Sequence, residues 1–144
     1  MPLHVCATPI GNLEDITLRV LRELAEADIV LCEDTRRTRI LLDRHDIGAH
    51  LVSFDRRHEA RRTAEILPRL AEGARVALVS DAGLPGINDP GARLIAEALE
   101  RGIPVTVLPG PSAVETALVA SGLLAERYLF LGFVPKADAA RQRL

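Results

Sequence analysis

The chain has 144 residues, 48% of them hydrophobic, with 18 basic against 20 acidic side chains and a formal net charge of −2. Roughly 150 residues is the span of one ordinary domain with one buried core, and so balanced a charge excludes a disordered polyelectrolyte tail and a globally cationic polyanion binder. The apolar runs are far shorter than the roughly 20 residues of a membrane helix and the N-terminus lacks a basic-then-apolar leader, so the chain is expected in the cytoplasm with no membrane partner.

In chain order, strands are expected over residues 3–7, 28–32, 50–54, 76–80, 105–108 and 128–131. Most are apolar throughout rather than alternating, the pattern of strands covered on both faces, which predicts a largely parallel open sheet of the α/β class with helices on both sides. Helices are expected over residues 17–27, with Leu18, Leu21 and Leu24 or Ala25 on the apolar face, over 60–71 and over 92–101. Gly73, Gly102 and Gly122 fall just after helical stretches, where a left-handed residue is wanted, and Pro104 directly precedes a strand. Residues 1–135 form the expected domain. From 136 to 144 the chain starts a linker or the beginning of a second domain, with a frayed tail as the alternative. Cys6 and Cys32 lie in strand-like runs and read as buried thiols, too few for a disulfide framework or a zinc cluster, so no metal is expected.

None of the 10 glycines is two residues from another, so the dinucleotide fingerprint and the common Gly-rich methyltransferase loop are missing, as is a Gly-Lys-Ser/Thr phosphate loop. Three other loops follow strands: residues 7–12 (ATPIGN), 80–91 (SDAGLPGINDPG) and 109–113 (PGPSA). All three should reach the carboxyl edge of the sheet, where open parallel sheets bind ligands. In the long loop Pro85 and Pro90 fix backbone angles while Gly83, Gly86 and Gly91 permit close approach. Asp89 reads as the N-cap of a helix starting at Pro90, and Asp81 either caps a turn or faces a ligand. Residues 83–86 match the Gly-x-x-Gly of KH domains but hold no basic residue between the glycines, which argues against a phosphate clamp.

Residues 8–13 (TPIGNL), 33–36 (EDTR), 80–91 and 108–113 (LPGPSA) together resemble one family, the bacterial 16S ribosomal RNA 2′-O-methyltransferase I group within the tetrapyrrole methylase superfamily. The resemblance runs from about Leu3 to Pro135 in order and spacing. It implies an S-adenosylmethionine-dependent enzyme that methylates the 2′-hydroxyl of a cytidine ribose in 16S rRNA of the small ribosomal subunit, usually as a homodimer. It also implies a second α/β domain, of which this chain would be the N-terminal partner; alone it is expected to fold and to bind the donor weakly. The cofactor-facing positions implied are Pro9, Ser80, Asp81, Ala82, Gly83, Ile87, Ser112 and Ala113. Gly86 stands where relatives often carry a larger apolar residue, and Ser112 where some carry Cys.

Methyl transfer from a sulfonium to an alcohol is an in-line displacement, so the protein has to align the reactants, exclude water and receive a proton. Asp34 is the first candidate acceptor and Asp81 the second; for Asp34 the alternatives are capping the Arg-rich helix that follows Thr35, or positioning RNA. Residues 36–62 carry eight arginines against four acids, a net +4 that leaves −6 on the remainder. A local basic face could track phosphates, with Arg36, Arg37, Arg56, Arg57 and His58 as the RNA-binding candidates and a solvated helix face as the alternative. Two further readings stand beside this one: a tetrapyrrole-type small-molecule methylase, and a non-catalytic fragment that binds RNA or its own copy through apolar surface near Phe130, Phe133 and Val134.

Overall fold

The computed structural model describes residues 2–123 and 126–136. Elements alternate along the chain: β1 (Leu3–Cys6), α1 (Leu18–Glu26), β2 (Ile29–Cys32), α2 (Thr35–Arg44), β3 (Leu51–Ser53), α3 (Glu59–Ala71), β4 (Val76–Leu78), α4 (Ala92–Glu100), β5 (Val105–Leu108) and α5 (Ala113–Ser121). The five strands form one sheet in the order β3-β2-β4-β1-β5, every pairing parallel. The α/β expectation holds.

The reason lies in the side-chain period of the strands. Leu3, Val5, Ile29, Leu31, Val76 and Leu78 point to one face, where they pack with Ile66, Leu67 and Leu70 of α3 and Leu94 and Ala98 of α4. Their neighbours Cys6, Val30, Cys32, Ala77 and Val79 point to the other, against Val20 and Leu24 of α1 and Leu42 of α2. A strand buried on both sides has no polar face to show, hence its continuous apolar sequence. Cys6 and Cys32 are fully buried free thiols, and burial pushes the Cys6 thiol up to about 12, so neither supplies a thiolate nucleophile.

Thr17 caps α1 by accepting from the Val20 N–H at 3.1 Å. The core face of α1 is Val20 and Leu24; Leu18, expected on that face, is 80% exposed, because it lies more than 100° around the helix from both. Gly73, Gly102 and Gly122 all take positive φ, as their places behind α3, α4 and α5 require.

Two expectations are corrected. Asp89 does not cap a helix at Pro90: α4 begins at Ala92 with Gly91 as N-cap, at φ +125, and the Gly91 N–H is satisfied by Glu59 Oε1 at 2.9 Å. A Cβ on Gly91 would lie 2.6 Å from Leu78 Cδ2, so any other residue there must displace the buried Leu78 side chain as well as adopt a positive φ. Residues 128–131 form no strand; Leu129 and Leu131 are 80% and 57% exposed, and the segment lies beside α5, making a shallow apolar groove with Val114 and Leu118. An apolar run records a demand for burial, not membership of this sheet. Of the tail expected over 136–144, residues 137–144 lie outside the described residues. Among the described residues no helix is long and apolar enough to cross a membrane.

Gly91→Ala is expected to destabilise the fold at least twice as much as Gly102→Ala, which meets open space and only the left-handed backbone cost of about 1–2 kcal/mol. Urea midpoints at equal m-value measure the difference; equal losses would mean that Leu78 yields freely.

Candidate functional site

The loops after β1 and β4 are tied together at the carboxyl edge. Thr8 N–H donates to Gly83 O at 2.9 Å and Gly83 N–H returns a bond to Thr8 O at 3.1 Å. The buried Thr8 hydroxyl adds a bond to Ser80 O at 3.0 Å, and the Ser80 hydroxyl turns inward to the carbonyls of Ala82 and Gly83, both at 3.2 Å. The loop after β5 packs on the first: a Cβ on Gly110 would come within 2.8 Å of Ala7 Cβ.

A cavity of about 250 Å³ opens beside this junction. Pro9, Ile10 and Gly11 form one wall and Ser80, Asp81 and Ala82 another, while Arg37, Thr38, Ile40 and Leu41 of α2 supply the third. Four of the cofactor candidates, Pro9, Ser80, Asp81 and Ala82, thus share one cavity. Gly83 stands behind its wall in the Thr8 bridge. Ile87 is exposed on the crest of the long loop, Ser112 is the N-cap residue of α5 and Ala113 is its first residue; none of the three lines the cavity. The α2 wall is what sequence reasoning missed, since helical spacing shows which residues share a face but not what that face meets.

Asp81 is the one carboxylate in the cavity wall. Its Oδ1 accepts from the Asp34 backbone N–H and its Oδ2 from Arg37 Nη1, both at 3.1 Å, so the helix that walls the cavity also orients the carboxylate. Asp34 is the N-cap of α2: its Oδ1 accepts from the Arg36 N–H at 2.9 Å, and its two oxygens take Arg36 Nε at 3.2 Å and Nη2 at 2.9 Å. These bonds to Arg36 hold the Asp34 carboxyl at about 2, well below the ordinary carboxylate range. Behind them, burial raises the Glu33 carboxyl, with the charges of Asp81 and Asp89 adding to the rise; Asp89 is raised by burial against the opposing charge of Arg56.

The basic candidates are mostly engaged. Arg36 pairs with Asp34, Arg37 with Asp81, and Arg56 donates through Nη2 to the Asn88 carbonyl. His58 Nδ1 meets Asp55 Oδ2 at 2.8 Å, which lowers the Asp55 carboxyl. Of the eight arginines from 36 to 62, Arg57 alone makes no side-chain hydrogen bond or ion pair among the described residues.

The sequence model of the Tetrapyrrole (Corrin/Porphyrin) Methylases matches residues 2–141. The chain belongs to this family. It is 49% identical over 99% of its length to a protein of Thermotoga maritima named Ribosomal RNA small subunit methyltransferase I, and 46% identical over 98% to one of the same name from Halalkalibacterium halodurans. The chain spans 64% and 49% of those two relatives' own lengths. Among solved structures, the uroporphyrin-III-C-methyltransferase of Thermus thermophilus superposes with a TM-score of 0.65 at 29% identity, over 85% of this chain and 53% of that one. The family fold therefore extends over the whole described sheet, and the cavity lies at its carboxyl edge.

Asp34, with a folded-state pKa near 2 against about 4 unfolded, stabilises the fold above pH 4, and that contribution fades as pH falls from about 4 toward 2. Asn caps a helix as well as Asp but carries no charge for Arg36. Asp34→Asn should therefore be less stable than the parent at pH 7 and indistinguishable from it near pH 2, read from denaturant midpoints across that range.

Proposed function

We propose that this chain is the donor-binding and RNA-facing part of an S-adenosylmethionine-dependent methyltransferase that modifies the 2′-hydroxyl of a cytidine ribose in 16S rRNA of the small ribosomal subunit. The observation that carries the reading is the cavity at the carboxyl edge, walled by the two loops whose sequences resemble the rRNA methyltransferase group and containing one oriented carboxylate. Support also comes from the relatives named Ribosomal RNA small subunit methyltransferase I, which match almost the full length of this chain.

The residues fit the donor's chemistry. Ile10, Leu13, Ile40 and Leu41 provide apolar surface that sheds water, and the Asp81 carboxylate suits a cationic group. S-adenosylmethionine would supply an electrophilic methyl group on its sulfonium. Pro9, Gly11 and Ala82 offer backbone to bind it, and Gly83, Ile87, Ser112 and Ala113 contact only a ligand that extends across the rim. Asp81 is the group placed to receive the alcohol proton, held in orientation by the Asp34 N–H and by Arg37; Asp34, spent on Arg36 and the α2 cap, acts as a positioning residue. Arg57 offers its guanidinium to RNA phosphate, beside Arg36 and His58, which would first exchange their present partners, while Arg37, also an RNA candidate by sequence, stays on Asp81.

The tetrapyrrole reading rests on the structural likeness to the uroporphyrin methyltransferase. The acceptor decides between them: labelled methyl transfer should appear in RNA when small-subunit particles are offered, and not in a uroporphyrinogen, with the chain extended by the additional length its relatives carry, and weakly or not at all with this chain alone. Asp81→Asn should cut transfer by about 10²-fold or more while leaving the fold intact. Transfer to the tetrapyrrole but not to the particle would overturn the proposal.

A second copy of the chain is the proposed partner at the apolar surface of α5 and residues 128–134, where Val119, Leu129 and Phe133 are each at least 80% exposed. Sedimentation should show concentration-dependent association that the pair Leu129→Glu and Phe133→Glu abolishes; a monomer at all concentrations would remove this partner.

A further inference from the structure

Arg56 and Arg57 are consecutive, yet they face different surroundings. Arg57 points its side chain to no partner among the described residues, whereas Arg56 reaches from the β3–α3 connection to the carbonyl of Asn88 in the long loop. Asn88 holds φ +59, one of two non-glycine residues with positive φ among those described, so its turn is a backbone state that needs holding in place. Three residues on, the first residue of α3 takes a second grip: Glu59 Oε1 accepts from the Gly91 N–H at 2.9 Å. On the Asn88 side chain Gly132 comes so close that a Cβ there would lie 3.2 Å from Nδ2. Arg56 is also the cation whose charge offsets the raised carboxyls of Glu33 and Asp89, so a withdrawn guanidinium would leave these acids facing each other.

We propose that Arg56 is a positioning residue for the donor loop, latching the crest at residues 87–89 onto the β3–α3 connection, and that the phosphate-binding role falls to Arg57. Besides the bonds of Ser80 and Asp81 to Thr8 and α2, the long loop is anchored by Thr8 at Gly83, by Arg56 at Asn88 and by Glu59 at Gly91. The first and last anchors fix the ends of the loop, and Arg56 fixes its middle, next to the exposed Ile87. The basic segment after β3 thereby does two jobs with adjacent exposed arginines, one laid across the surface to the long loop and one free to meet the acceptor's backbone. This inference rests on the reading of residues 80–91 as the donor loop.

The test measures S-adenosylmethionine affinity by calorimetry and the salt dependence of binding to a 16S-derived RNA hairpin, on the intact chain and its variants, with thermal midpoints as the check on folding. Arg56→Ala should weaken donor binding about tenfold, the loss expected for a charged hydrogen bond, and leave the RNA salt slope unchanged. Arg56→Lys, which keeps the charge and an ammonium donor but not the planar fork, should recover part of the affinity; a role in stability alone would move the thermal midpoint without this graded recovery. Arg57→Ala should do the converse, lowering the slope by about one unit with donor affinity intact. If Arg56→Ala fails to fold, Arg56→Met keeps the stem packing and is read in its place. Unchanged donor affinity, or a salt slope lowered by Arg56→Ala, overturns the latch and returns Arg56 to phosphate contact. A parent chain that binds RNA but no donor sinks the donor-loop reading itself, and the latch with it.

Discussion

The reciprocal backbone bonds between Thr8 and Gly83 hold together everything at the carboxyl edge. They join a loop that leaves β1 to one that leaves β4, strands far apart in sequence but adjacent in the sheet. The Thr8 hydroxyl, buried and bonded to Ser80 O, extends the tie into the start of the long loop. With this junction closed, Asp81 emerges on the side of α2, where the Asp34 N–H and Arg37 are waiting for its two oxygens. A buried hydroxyl and two paired backbone groups thus set the position of a carboxylate that no regular element carries.

The same edge shows how a chain of net charge −2 manages a local excess of arginine. Nearly all the arginines between 36 and 62 are spent on carboxylates or carbonyls of neighbouring loops or of their own helix, and the charge that composition assigns to an RNA face is largely neutralised within the protein. Each exposed pair contributes little to stability, because water screens it. Their effect is geometric: a planar guanidinium with several donors fixes two loops relative to each other, as Arg37 does for α2 and the long loop. Asp34 has both capacities at once, capping α2 with one oxygen and pairing Arg36 with both, and its pKa near 2 follows from those bonds.

The apolar segment after α5 is a contrasting surface, and its end at Gly132 reaches Asn88 of the long loop. Its residues are as hydrophobic as any strand, yet they lie open beside a helix that buries nothing of its own. The relatives continue well past the length this chain spans, and a surface of this kind is where further protein, from the same or a second chain, gains most by docking.

Much of the fold was legible in the residues alone. Strands that must be apolar on both faces, glycines where a helix ends in the left-handed region, a threonine or aspartate where a helix starts, and proline-rich turns at strand ends are local requirements, and local chemistry writes them directly into the sequence. The loops over residues 7–12 and 80–91, expected at the carboxyl edge from the strands they follow, do meet there, and a cavity opens between them and α2. Tertiary structure alone decided which side chains meet: that α2 and not the PGPSA loop completes the cavity, that Gly91 and not Asp89 starts α4, that Arg56 reaches Asn88 while Arg57 meets no side-chain partner among the described residues, and that residues 128–131 stay off the sheet. These outcomes depend on contacts between segments tens of residues apart, where periodicity has no reach and only the order of strands sets who is whose neighbour.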